Sequence, residues 1–165
     1  MNFYSKPGAT FNHVSAGFVL GTTSTYTTTV TTEVSINGKF GTTLAAQTNT
    51  ASPTTDATTG AAFVALTANQ ATVLVWGVNA AGEIKLSQGS IEDTAVGVTT
   101  TAGAFLKLPQ FPSLPDDFCP IGYQLVRTAP SASAFTPGTS SWTATGITCS
   151  TIQNVATLPD RLQSS

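Results

Sequence analysis

His13 is the chain's one histidine and the side chain best suited to moving a proton near neutral pH. Such work needs a nucleophile or water at the ring and usually an orienting partner. Its sequence neighbours Phe11, Asn12 and Val14 supply neither. The other groups that could act on a bond are two acid pairs, Glu92-Asp93 and Asp116-Asp117. Glycoside hydrolysis uses two carboxyls opposed across a cleft, whereas adjacent residues of a strand point to opposite faces. Neither pair makes that dyad alone, and Asp116-Asp117, directly after Pro115, reads as turn chemistry. No catalytic residue is expected.

Metal and cofactor chemistry is equally thin. Zinc sites want several Cys and His at short spacing, and calcium loops want Asp and Asn alternating ahead of Gly and Glu. Neither pattern occurs, and there is no phosphate-cradling Gly loop, Gly-x-Ser-x-Gly elbow or dinucleotide fingerprint. No metal and no cofactor are expected. Cys119 and Cys149 could form one disulfide, but small secreted scaffolds use more, so two buried free thiols are expected. Phe3, Tyr4, Phe11, Tyr26, Tyr123 and Trp142 could stack a sugar, which keeps a host glycan among the partners to consider. Tyr123 lies inside an apolar strand and Trp142 follows a Pro137-Gly138 turn, so packing is their expected role.

Composition then points to what these residues serve. Only 8% of the 165 residues are charged, against a usual quarter, and roughly one in five is Thr. A compact monomer of this mass exposes roughly 7,700 Å², or about one charge per 550 Å². That surface, with a net charge of −2, is poorly defended against association. The six basic residues are scattered, which excludes the clustered charge that direct nucleic-acid binding demands. The apolar runs are far shorter than the ~20 residues of a membrane span, and none near the N-terminus has signal-peptide character.

Period-2 alternation and β-branched residues are abundant while helical periodicity is missing, so the chain reads as all-β, an antiparallel β-sandwich or jelly-roll-like domain. Residues 1–21 read as an extended N-terminal arm and 22–165 as one domain. Two hairpins can be set in register. The loop Ala80-Ala81-Gly82 places Val78 opposite Ile84 and Trp76 opposite Leu86, with Leu74, Trp76 and Val78 inward; Val73 and Val75 imply a strand covered on both sides. For the other hairpin, a three-residue loop Ile36-Asn37-Gly38 pairs Val34 with Phe40 and Val30 with Leu44, gathering one apolar face. The expected core is Val34, Phe40, Leu74, Trp76, Val78, Ile84, Leu86 and Tyr123.

Further strands are expected at 14–20, 61–66, 91–98, 105–108, 121–128 and 147–155, and an exposed, insertion-tolerant loop at 49–60. The stretch 108–122, with Pro109, Pro112, Pro115 and Pro120, should cross the surface in polyproline-like geometry and admit no central strand. Its Pro109, Phe111, Pro112 and Pro115, with Phe3, Tyr4 and Phe11 of the arm, are the candidate protein-interface residues.

Leu114-Pro-Asp-Asp-Phe-Cys-Pro-Ile-Gly-Tyr-Gln-Leu-Val126, followed by Phe135-Thr-Pro-Gly-Thr139, Trp142, Gly146-Ile-Thr148 and Thr157-Leu-Pro-Asp-Arg161, resembles structural proteins of tailed double-stranded-DNA bacteriophage virions. The resemblance spans residues 104 to 162. It implies a β-rich, non-enzymatic decoration or cement protein on the capsid exterior, assembled in the host cytoplasm, with the major capsid protein as partner. Closed symmetry favours small oligomers, so self-association as a homotrimer would suit a site where three shell subunits meet. A tail, fibre or head-spike component that binds a host surface glycan is the alternative, and a hydrolase of host surface polymer the next.

Overall fold

In the computed structural model, which describes residues 9–160 and 162, the described residues form eleven strands and no helix. These are β1 (Phe11–Asn12), β2 (Phe18–Leu20), β3 (Thr25–Thr28), β4 (Thr32–Ile36), β5 (Lys39–Leu44), β6 (Gln47–Ala51), β7 (Gln70–Asn79), β8 (Ile84–Asp93), β9 (Phe118–Thr128), β10 (Ile147–Cys149) and β11 (Gln153–Asn154). All pairings between them are antiparallel. They form two three-stranded sheets, β1-β4-β5 and β2-β3-β6, and a five-stranded sheet in the order β10-β9-β7-β8 with β11 also on β9. Side chains of all three sheets meet in one core, so the all-β sandwich expected from alternation is the observed architecture.

The β7–β8 hairpin pairs Val78 with Ile84 and Trp76 with Leu86, as the Gly82 turn predicts. Trp76 is fully buried and sits among the rings of Phe18, Tyr26 and Trp142, at centroid distances of 4.6, 5.6 and 6.0 Å. Leu74, Val78, Leu86 and Val34 are buried in the same core, with Ile84 partly buried at its border. On the opposite face Val73, Val75, Tyr123 and Leu125 make a second core. The cover there is the proline-rich crossing, whose Phe111 meets Tyr123 edge-on at 5.1 Å, together with Leu114, Val155 and Leu158. The crossing runs so close that a Cβ on Gly89 would lie 2.2 Å from the Gln110 carbonyl oxygen and 2.4 Å from Val73.

Several expectations are corrected. Asn37 and Gly38 both have positive φ, 52° and 75°, and form a two-residue turn with Ile36 opposite Lys39 and Ser35 opposite Phe40. Phe40 is therefore not core but 69% exposed. A bulge at Gly41 then restores the apolar alignment, with Thr42 opposite Val34 and Leu44 opposite Thr32.

Residues 11–20 do not form an extended arm: β1 and β2 are paired within the sheets and Phe18 is buried, and the rest of the expected arm, residues 1–8, lies outside the described residues. Pro120 lies within β9, tolerated beside the bulge between the Trp76–Gly122 and Gly77–Pro120 pairs. The stretch 49–60 is not a free loop. Ser52 and Asp56 are buried, and Asp56 accepts hydrogen bonds from the Ser87 hydroxyl at 3.2 Å and the Thr58 amide at 2.9 Å.

No strand forms at 61–66 or 105–108, which make only isolated bridges at Ala62, Leu66 and Phe105. The Thr-rich β2-β3-β6 sheet sends Phe18 and Tyr26 to the core and uses its hydroxyls as well. At the bulge where β6 passes Thr27, the amides of Gln47 and Asn49 donate to Thr28 and Thr27 Oγ1 at 2.9 and 3.1 Å.

Candidate interaction surface

Sheet pairing assembles on the solvent side of β1-β4-β5 a group of residues far apart in sequence. Opposed residues of antiparallel strands share a face, so Phe11 and Phe40, both paired with Ser35, flank it. His13 completes the group. Its Nε2 is 2.8 Å from Ser35 Oγ, and its ring lies 4.4 Å from Phe11 and 5.0 Å from Phe40. A hydroxyl thus does stand beside the imidazole, a contact across 22 residues that local sequence cannot display. Among the described residues the ion pairs are Lys85–Glu83 and Lys107–Glu92, each 3.0 Å, so no carboxylate backs the ring. Val14 adds an exposed apolar side chain next to it.

The second feature is a narrow hairpin between β8 and the crossing. Thr94 bridges Phe105, the Ala95 amide donates to Ala104 at 2.9 Å, and Val98 and Thr101 exchange both backbone hydrogen bonds at 3.0 and 2.7 Å. Two glycines let its arms close. A Cβ on Gly97 would sit 2.0 Å from the Thr101 carbonyl oxygen, and one on Gly103 would sit 1.8 Å from that of Ala95. Thr99 at the tip has φ 44°, a left-handed backbone that a β-branched residue rarely accepts. It is held by Ser131, whose hydroxyl and amide donate to the Thr99 carbonyl at 2.7 and 3.0 Å. Arg127 fastens the base, donating to Gly103 O at 2.9 Å with its guanidinium 4.9 Å from the Phe105 ring centre. On this pinned frame Val96, Val98 and Leu106 are 79, 77 and 71% exposed.

Comparison of the chain with protein-family models, with curated proteins and with solved structures gives no match.

Of the expected interface residues, Phe3 and Tyr4 lie outside the described residues, Phe11 is half-buried beside His13, and Pro112 and Pro115 are half-buried along the crossing. Pro109 is buried and Phe111 packs on Tyr123, so these two face inward. The reason is the apolar outer face of β7 and β9, which must be covered by this chain's own side chains. At the margin of that cover a cleft of about 410 Å³ remains, lined by Leu108, Pro109, Gln110, Phe111, Asp160 and Leu162.

The groups with chemical potential are quiet. Asp116-Asp117 form the turn before β9, closed by the Phe118 amide donating to Pro115 O at 3.1 Å. Glu92 is held below its ordinary pKa by hydrogen bonds from Lys107 and Ser90. Cys119 and Cys149 are free thiols, Cys119 buried as expected and Cys149 only partly buried, and burial pushes each up to about 12, so both are protonated at neutral pH. Among the described residues no three His, Cys, Asp or Glu gather as a metal site. Tyr26, Tyr123 and Trp142 are buried, which removes them as stacking platforms.

Proposed function

We propose that this chain is a structural protein of a tailed-phage virion, acting without catalysis on the outside of the capsid as a decoration or cement protein. Its partner is the major capsid protein, and copies associate with one another, as a trimer where three shell subunits meet. The observation that carries this reading is the display of large apolar side chains, Phe40, Val96, Val98 and Leu106, on hydrogen-bonded elements of a charge-poor surface. Apolar patches on ordered elements are what a protein partner covers. Burying them across a subunit junction contributes about 25 cal/mol per Å² before the cost of association is subtracted, so parting the subunits would re-expose that area.

Empty shells assembled from the major capsid protein of the same virus provide the test. Co-sedimentation and imaging should show many copies at regular lattice sites, with Phe40→Asp weakening the coat. Shells that stay bare would refute the reading.

A tail or spike role on a host glycan is favoured by one feature, the Phe40 ring exposed beside the His13–Ser35 pair, which offers an apolar face next to hydrogen-bonding groups. A few copies at the tail, together with glycan-array binding lost in Phe40→Ala, would select it.

A further inference from the structure

The pinned hairpin 94–106 and the cleft at the edge of the crossing are complementary surfaces of one chain that do not meet within it. The hairpin carries no charged residue, and its valines stand 79 and 77% exposed. They therefore do not fill the cleft of their own chain. The cleft has the matching character: Leu108, Pro109, Phe111 and Leu162 give it apolar walls, and among the described residues Gln110 and Asp160 are its polar lining and Asp160 its one charge. Its volume of about 410 Å³ has room for the two valine side chains. Leu108, itself 41% exposed on this wall, is uncovered as well.

We infer that the hairpin of one copy seats in the cleft of the next, so that Val96 and Val98 enter between Leu108 and Leu162 of the neighbour. This rests on the reading of the protein as a self-associating virion component and names the contact. The Gly97 and Gly103 close approaches and the Ser131 hydrogen bonds fix the hairpin before it docks, so little order remains to be imposed on binding. Positive-φ Thr99 fits the same role, because local strain is kept where a tip must hold one shape. Knob and socket are different surfaces. The contact is therefore head-to-tail, and copies joined this way close into a ring or run on as a filament, with a three-membered ring matching the proposed site. A contact of standard size covers roughly 800 Å² per partner, so the valines anchor an interface that the surrounding surface completes.

Two variants divide the contact. Val96→Asp/Val98→Asp removes the knob and keeps the socket, while Leu108→Glu fills the socket and keeps the knob. All three positions are exposed, and β-sheet circular dichroism with buried-Trp fluorescence checks that each variant folds. Light scattering after size exclusion should give an oligomer for the wild type, monomers for each variant, and a 1:1 pair and nothing larger when the variants are mixed. A monomeric wild type, a variant that keeps the wild-type mass, or a mixture that stays monomeric would overturn the inference. The shell assay stays separate. Wild type that coats shells as a monomer sinks this contact alone, and wild type that oligomerises but ignores shells sinks the capsid reading alone.

Discussion

The Phe40 ring meets the His13 imidazole nearly at right angles, 84° between planes and 5.0 Å between centroids, on the outside of the β1-β4-β5 sheet. One residue of register decides this. Opposite Val34, Phe40 would have joined the core; opposite Ser35, it covers the one histidine instead. The consequence is a contrast in stability. Trp76→Ala should cost about 3–5 kcal/mol, whereas Phe40→Ala, which loses mainly a surface ring contact, should cost under about 1 kcal/mol. Urea denaturation of the two variants measures both, and comparable losses would place the Phe40 ring inside.

Gly89→Ala should destabilise by about 1–3 kcal/mol, the usual penalty of forcing atoms into a filled site. The added methyl would meet the Gln110 carbonyl, a backbone atom that moves only if the crossing moves. Cleavage by trypsin after Lys107, next to the crossing, should accelerate in parallel. Unchanged cleavage and stability would mean that the crossing does not press on β8.

Gln124 is fully buried, and neither its amide nitrogen nor its oxygen has a hydrogen-bond partner among the described residues. An unsatisfied buried polar group costs about 1–3 kcal/mol, so Gln124→Met, close in shape and apolar, should raise stability by about 1 kcal/mol or more. A higher midpoint in urea at unchanged slope is the expected result, and a loss would reveal a partner for the amide.

Alkali should weaken the fold. Each thiol holds its proton up to about 12 in the folded chain, against 9.0 ordinarily, and burial raises Tyr26 in the same direction. Between those values the unfolded chain releases protons that the folded chain retains. This contribution is therefore complete below about pH 9 and lost as pH rises toward 12. Stability should be flat from neutral to pH 8 and fall above 9, with a shallower fall in Cys119→Ala/Cys149→Ala. Intact mass should be the same with and without reductant, and labelling of Cys119, the buried thiol, at pH 7 should need denaturant.

What sequence could disclose depended on how local the deciding contact was. The Trp76–Leu86 pairing was legible because alternation and the Gly82 turn agree within fourteen residues. The Asn37-Gly38 turn was misread for a physical reason: apolar matching was gathered by a looser loop, whereas the chain keeps the tight turn and corrects the match with a bulge at Gly41. Strands β3 and β6 were missed because Tyr26 is the one large apolar side chain they send to the core, the other positions being mostly Thr whose hydroxyls close the ladder at its bulge. The His13–Ser35 contact and the pinned hairpin were hidden altogether. The first depends on the pairing of β1 with β4, strands far apart in the chain, and the second on glycines whose value is the backbone they let pass.

Strand β7 lies between β8, made next, and β9, which is complete only at Thr128. A ribosome adding roughly 5–20 residues per second leaves the β7–β8 hairpin without its central neighbour for a few seconds. Val73, Val75 and Trp76 are then open to other nascent chains, so the yield of native protein during rapid synthesis should depend on how crowded the polysome is and on whether a chaperone reaches the hairpin first.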